Sequence, residues 1–447
     1  METKMKLPTF KKGIHPDDQK GFSNQCEITV AEFPTEVWIP LQQHIGAQCE
    51  ALVKKNDKVL TGQKIGESKA FVSAPVHSSV TGTVKTVDLF PHALGGRVPM
   101  VHIKRDAGDE QWALMEPIPD WQNASPELLK KNIRDAGIVG MGGAGFPTHV
   151  KLSPPAGKLI DSFILNGVEC EPYLTADHRL MLEKPDAMLV GMMIMMRILG
   201  VTRGHIGIEN NKPDAIEKVR TRIVEMALPI TVVPLAVKYP QGAEKMLIQA
   251  VLKRQVPAGG LPMDAGVVVN NVGTALAVYE AVCEGKPLIE RIVTITGNGI
   301  QNPSNLMARI GTPIRHLIQQ AGGIKEELAQ VFMGGPMMGQ AQYNLDVPMI
   351  KTTSGIIGTT DFKALSENQT PCIRCGSCVT ACPMFLLPTR IARFSELRRW
   401  DDAAEYGIMN CIECGSCAFA CPSHIPLVQL IRLGKNKVAE RARKSAS

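Results

Sequence analysis

Eight of the 12 cysteines fall in two runs, CIRCGSCVTACP from Cys372 to Pro383 and CIECGSCAFACP from Cys411 to Pro422. Each reads C-x2-C-x2-C-x3-C-P, and two copies of that pattern are the signature of two 4Fe–4S clusters. Three thiolates in one tight loop reach three corners of a cube. The fourth cysteine stands on the following helical turn, faces the other way and ligates the partner cluster. The expected sets are Cys372, Cys375 and Cys378 with Cys421, and Cys411, Cys414 and Cys417 with Cys382. Gly376 and Gly415 let the loops fold closely around sulfide. Pro383 and Pro422 redirect the chain after the fourth ligand. Zinc sites more often pair C-x2-C units across a longer gap. Each cluster carries one electron at a time, so the pair predicts an electron relay.

A second site is marked by glycines. Gly140, Gly142, Gly143 and Gly145 satisfy G-x-G-x-x-G. A dinucleotide fingerprint needs a strand before it and a helix after it. Here a helix ending near Gly137 precedes the loop, and Pro147 argues against a helix running on from Gly145. What remains is a loop whose N–H groups can approach a phosphate or a flat ring. Phe146 can pack beside that ring, and Lys151 can meet a phosphate as a point charge. After the strand DSFIL, Asn166, Glu169 and Glu171 stand where open α/β sheets bind their ligands. Carboxylates there can accept from ribose or ribityl hydroxyls and from an amide, which makes Glu169 and Glu171 the candidate catalytic residues. Tyr239, Gly242 and Glu244 open one helix. Asn270 and Asn271 end a strand and lead to Thr274 at the start of another, where they can cap the helix and hold a phosphate-bearing ligand.

These residues need a scaffold. The chain has 447 residues, 44% hydrophobic and 21% charged, ordinary globular values that predict about three or four domains. A net charge of +6 is too weak over this length to argue for nucleic acid. The most apolar stretch, Ala187 to Met196, is too short to span a bilayer. METKMKLPTFKKG has no apolar core behind it, which argues against a signal peptide and with it a disulfide framework. Strand patterns at 158–165, 205–208, 230–234 and 267–269 alternate with helix patterns at 187–199, 214–225, 242–252 and 274–284. That alternation predicts an α/β sandwich with a mostly parallel sheet. The Met-rich helix AMLVGMMIMMRIL reads as buried core. Ser125-Pro126 reads as a helix start. The stretch between the cysteine runs, TRIARFSELRRWDDAAEYG, reads as helix.

Two smaller modules are marked by resemblance. KKNDKVLTGQKIGE…FVSAPVHSSVTGTVKTV resembles a biotinyl/lipoyl-like barrel-sandwich hybrid. Glu67 stands where carriers place their lysine, and Lys69 is out of register, so a structural module is implied. RIVTITGNGIQNPSNLMARIGTPIRHLIQQAGG resembles a β-grasp SLBB module, with two short strands, a turn and a helix; the resemblance implies a spacer role, with a small-ligand site as the alternative.

GMGGAGFPTHVK, NGVECEP, YPQGAEK and VVNNVGT are similar, in that order, to the flavin and NADH motifs of the FMN-carrying subunit of respiratory complex I. The whole layout, with the early Ile14–Pro16 run, resembles the RnfC family, the C component of Rnf/Rsx-type ion-translocating ferredoxin:NAD oxidoreductases, from about Phe10 to Lys435. The resemblance implies a multidomain α/β chain. Its parts are an N-terminal segment (1–36), a barrel-sandwich hybrid (37–106), an FMN/NADH-binding α/β domain (125–290), an SLBB-like module (291–350) and a helical two-cluster ferredoxin domain (364–447). It further implies non-covalent FMN, NAD(H) and two 4Fe–4S clusters. Its partners would be other proteins of the complex, including a ferredoxin-like one and membrane-spanning ones, and its place would be peripheral, on the cytoplasmic face of the inner membrane. Met141, Val168 and Ala243 depart from the complex I motifs, so some cofactor hydrogen bonds do not carry over. A soluble diaphorase subunit of a hydrogenase-like complex and a non-catalytic relay scaffold are the rival readings.

Overall fold

The computed structural model describes residues 6–108, 110–360 and 369–446. The outer ends of the N-terminal segment (1–5) and of the chain (447), and the first positions of the expected cluster module (364–368), lie outside them. The N-terminal segment carries strand β1 (Ile28–Val30). Strands β2 (Glu36–Pro40), β3 (Glu50–Ala51), β4 (Lys58–Val59), β5 (Lys64–Glu67), β6 (Val76–His77), β7 (Gly82–Pro91) and β8 (Arg97–Arg105) follow. They form two small antiparallel sheets, β2-β8-β7-β4 and β3-β5-β6. Val37, Ile39, Ile65, Val84 and Ile103 form the core of this unit. Glu67 ends β5 in an ion pair with Lys64 at 3.0 Å.

The next unit opens with α1 (Pro126–Asp135), whose N-cap Ser125 accepts from the Leu128 N–H with Pro126 at the first position. A single turn, α2 (Thr148–Lys151), follows Pro147. Then come β9 (Ser162–Asn166), α3 (Ala176–Glu183), α4 (Pro185–Leu199), β10 (Gly204–Glu209), α5 (Pro213–Glu225), β11 (Ile230–Leu235), α6 (Glu244–Leu252), β12 (Val267–Asn271) and α7 (Val272–Glu284). The four strands are parallel in the order β11-β10-β9-β12. Each expected strand and helix of this unit is present. Met188, Met192, Met195 and Met196 of α4 are buried in the largest core. Gly191 lets α4 approach α7, because a Cβ there would collide with the Ala275 carbonyl.

The third unit contains β13 (Glu290–Thr296), β14 (Ser304–Arg309), α8 (Ile314–Gln320), β15 (Gln330–Met333), β16 (Gln340–Gln342) and β17 (Gly355–Thr359). Its sheet runs β1-β14-β13-β17-β15-β16. The expected two strands, turn and helix are there, but the sheet is larger. It takes β1 from the N-terminal segment, and β17 lies beyond residue 350. Four of the five residues of β17 are buried in succession, so it shows no period of two to mark it as a strand. The last unit is helical: α9 (Ser377–Ala381), α10 (Pro388–Glu396), α11 (Trp400–Glu405), α12 (Ser416–Phe419) and α13 (Leu427–Ala446), packed around Ile391, Ala403, Ile408, Leu427 and Ile431. Among the described residues no helix is long and apolar enough to cross a membrane.

Candidate functional site

The parallel sheet grows from β9 through β10 to β11, then restarts on the other side of β9 with β12. Such a reversal leaves a crevice beyond the strand ends, where ligands of open α/β sheets bind. Asn166 ends β9, and Asn270 and Asn271 end β12. The glycine loop lies over this crevice. It is closed at its base by the Gly140 N–H donating to the Phe146 carbonyl at 2.9 Å. It is pinned to the first turn of α7 by the Met141 N–H donating to Thr274 Oγ1 at 3.0 Å. A Cβ on Gly142 would stand 2.9 Å from that of Asn271, whereas one on Gly143 would meet nothing. Gly142, Gly143 and Ala144 are exposed, while Gly145 is buried.

Asn271 caps α7 through the Gly273 N–H at 2.8 Å and donates to Asp177 at 2.7 Å. Asn270 is 3% exposed, and neither its Oδ1 nor its Nδ2 has a partner. Buried polar groups are nearly always hydrogen-bonded, so an orphaned amide at the strand end that borders the crevice fits a polar, ring-bearing cofactor such as FMN. At the rim, Lys151 pairs with Glu244 and donates to the Val269 carbonyl at 2.6 Å. Asn166 donates to the Gly242 carbonyl at 2.8 Å.

The acidic turn is held rather than free. Glu169 has φ 46°, and its carboxylate accepts from the Asp177 and His178 N–H groups at 2.7 and 3.2 Å, capping α3. Glu171 accepts from the Tyr239 hydroxyl at 3.2 Å and from the Met337 and Met338 N–H groups at 3.0 Å each. Burial pushes its carboxyl up to about 7, against these hydrogen bonds. Two buried ammonium groups hold the backbone of the turn. Lys212 donates to the Val168 carbonyl at 2.8 Å, and Lys20 donates to Glu171 and Leu174 carbonyls at 3.1 and 2.6 Å. Lys20, Lys212 and Asp177 carried no pattern in the sequence, because their partners are contributed by tertiary contact. Of the three departures, Met141 and Val168 are buried in the hydrophobic core and Ala243 precedes α6.

The two cysteine loops share one backbone form. Arg374 and Glu413 have φ 58° and 56°, and Gly376 and Gly415 have φ 78° and 77°, just before α9 and α12. One cavity is lined by Cys382 together with Cys411, Cys414 and Cys417. Burial raises the thiols of these last three, and repulsion from Cys382 adds to it. Burial likewise raises Cys378, with Cys421 as its charged neighbour. Each fourth cysteine therefore stands with the other run, as the sequence spacing implies for 4Fe–4S ligation. Four thiols around one cavity fit a cluster. Glu413, in the second loop, is held by Arg432 and Lys435 of α13 at 2.9 Å each.

Tyr239 joins the two sites. It is 1% exposed and packs with Ile14, Ala381 and Cys414, against Cys170 and Met337. Ile14 and Tyr239 exchange both backbone hydrogen bonds at 2.9 Å. A Cβ on Gly415 would stand 2.8 Å from the Met337 carbonyl. The glycine loop, the strand-end asparagines and Thr274 are thus brought together in one cradle, while Tyr239 and Glu171 lie on the side facing the cysteine loops.

A glycine loop over the switch point of a parallel sheet, in a unit whose Tyr239 packs onto the cysteine loops, defines an electron-transfer protein of the flavin and iron–sulfur class. Family models match in the same order: the RnfC barrel sandwich hybrid domain (8–108), the Nuo51 FMN-binding domain (133–280), the SLBB domain (292–341) and the 4Fe-4S dicluster domain (364–422). The chain is 47% identical over 435 residues to the C component of the proton-translocating ferredoxin:NAD(+) oxidoreductase complex of Clostridium ljungdahlii, covering 96% of this chain and 94% of that one. It is 46% identical to the Na(+)-translocating counterpart of Acetobacterium woodii, covering 98% and 99%. It is 44% identical to the C component of the ion-translocating oxidoreductase complex of Rhodobacter capsulatus, covering 97% and 84%. An NAD+-reducing NiFe hydrogenase structure shares the fold at TM-score 0.50 and 18% identity, over 64% of this chain and 55% of that one. The chain belongs to the RnfC family, the C components of ion-translocating ferredoxin:NAD(+) oxidoreductase complexes. It is an oxidoreductase subunit of the electron-transfer type, with FMN and two 4Fe–4S clusters as its cofactors.

Proposed function

We propose that this chain passes electrons between NAD(H), FMN and its two clusters within a membrane-bound ferredoxin:NAD oxidoreductase. Its partners are the other subunits of that complex, a ferredoxin-like one and membrane-spanning ones among them. This puts it, as a peripheral subunit, on the cytoplasmic face of the inner membrane, where NADH is available. When bound, FMN supplies the exchange between two-electron and one-electron transfer. Gly140, Gly142, Gly143 and Gly145 give it close backbone approach. Phe146, Asn166, Asn270, Asn271 and Thr274 line the crevice, and Lys151, Gly242 and Glu244 shape its rim. Glu169 and Glu171 serve NADH reduction by holding the acidic turn in one conformation. The division into 37–106, 125–290, 291–350 and 364–447 is our reading of the working modules.

The observation that carries the proposal is the packing of Tyr239 between Glu171 and Cys414. Asn166 at the crevice donates to the Gly242 carbonyl, the Gly242 N–H donates to Cys170, and Cys170 packs against Tyr239 and Cys414, which supports a short route from the crevice to the cluster of Cys411, Cys414, Cys417 and Cys382. That cluster is then the first acceptor. The other set, whose Cys372 and Cys375 are exposed, faces the partner.

Anaerobic purification followed by FMN reconstitution tests this. NADH should reduce the clusters, read by electron paramagnetic resonance, at a rate set by flavin content. Clusters that dithionite reduces but NADH does not, with FMN restored, would make the chain a relay scaffold.

A further inference from the structure

The third unit does more than space its neighbours. Arg291, on β13, is 7% exposed and donates to the Met141 carbonyl at 3.4 Å and the Lys351 carbonyl at 2.7 Å. Lys351, which precedes β17, is 1% exposed. Its Nζ donates to the Gly137 carbonyl at 2.6 Å and the Pro75 carbonyl at 2.7 Å. Gly137 is the residue at which the chain leaves α1 for the glycine loop, and Met141 is the second residue of that loop. The loop is thus tied at its entrance and in its first turn by two buried basic side chains from the third unit, with burial lowering the Lys351 amine to about 7. Asp177, the acidic neighbour that favours the charge on Arg291, holds Asn271 at the floor of the crevice.

Buried polar and charged groups are costly unless they are well hydrogen-bonded, and both side chains donate to backbone carbonyls. A run of glycines loses much conformational freedom when it is ordered. A ligand that must order its own loop loses affinity by that amount. We propose that Arg291 and Lys351 are positioning residues that pre-order the glycine loop for FMN, which makes the third unit, the SLBB-like module with its extension toward β17, a clamp on the flavin site. The proposal rests on the reading of that loop as the flavin cradle.

The test uses the full chain, purified anaerobically with its clusters, stripped of flavin and titrated with FMN by fluorescence quenching. Arg291→Met and Lys351→Met should each weaken FMN binding about 10- to 100-fold, the range for losing a hydrogen bond made by a charged group. In the flavin-free variants, amide hydrogen exchange across 137–146 should rise above wild type. Arg291→Lys, which keeps a charged donor, should recover part of the affinity. If Arg291→Met does not fold, Arg291→Met with Asp177→Asn removes both buried charges and should still bind FMN weakly. A wild-type chain that takes up no FMN overturns the flavin reading and this one with it. A wild type that binds FMN, with variants of unchanged affinity and unchanged loop exchange, overturns this inference alone.

Discussion

Tyr239 donates its hydroxyl to Glu171 at 3.2 Å while its ring packs with Cys414, one of the four thiols around the more buried cavity. One residue therefore touches both the acidic turn and the iron–sulfur module. The same carboxylate receives two N–H groups from the loop after β15, so three modules meet at Glu171. Tyr239→Phe keeps the ring packing and removes one donor. Electron transfer from NADH to the clusters should fall less in this variant than in Tyr239→Ala, which opens a void beside Cys414. Equal loss in stopped-flow absorbance would mean that packing at this joint does not matter.

Glu171→Gln presents an amide N–H₂ to the Met337 or Met338 N–H. NADH reduction of the clusters should weaken about 10- to 100-fold, as for loss of a charge-assisted hydrogen bond, with dithionite reduction unchanged. Equal slowing with both reductants would place the damage in the clusters themselves.

The Glu171 carboxyl also sets a pH dependence. It stands at about 7, above the 4.5 of an exposed glutamate. Between these values the folded chain binds the proton and the unfolded chain does not, so stability falls as pH rises through that window. The glutamine variant lacks this proton. Its stability relative to wild type should therefore increase from pH 5 to pH 8, by up to about 3 kcal/mol. A constant difference in anaerobic thermal midpoint across that range would contradict the buried carboxyl.

Gly142 and Gly143 should respond differently. A side chain on Gly143 enters open space, so Gly143→Val should fold with an unchanged midpoint yet bind FMN poorly. Gly142→Val must displace Asn271 and should lose both stability and flavin. Full FMN occupancy in Gly143→Val would remove the exposed edge of the loop from the site.

Cys421→Ser should damage the cluster held by Cys372, Cys375 and Cys378, and Cys382→Ser the one held by Cys411, Cys414 and Cys417. Iron content and the paramagnetic signal of each cluster report this. Loss confined to the run that carries the mutation would show that ligation is not crossed.

The sequence by itself determined what depends on near neighbours. Cysteine spacing set two loops, each with a fourth thiol one helical turn further on that stands with the other run. Glycine density, helix caps such as Ser125 and Asn271, and apolar periods in the α/β unit were legible for the same reason. Tertiary structure alone decided which polar groups those elements would meet. Glu169 and Glu171 read as free acceptors at a strand end, yet one caps α3 and the other receives the loop after β15. The ammonium groups of Lys20 and Lys212 hold the turn, and β1 completes a sheet that begins far along the chain. Several of these contacts join residues more than a hundred positions apart, as from Lys20 to Glu171. They arise because burial forces each polar group to find a partner in space, and no local pattern of residue types encodes which partner that will be.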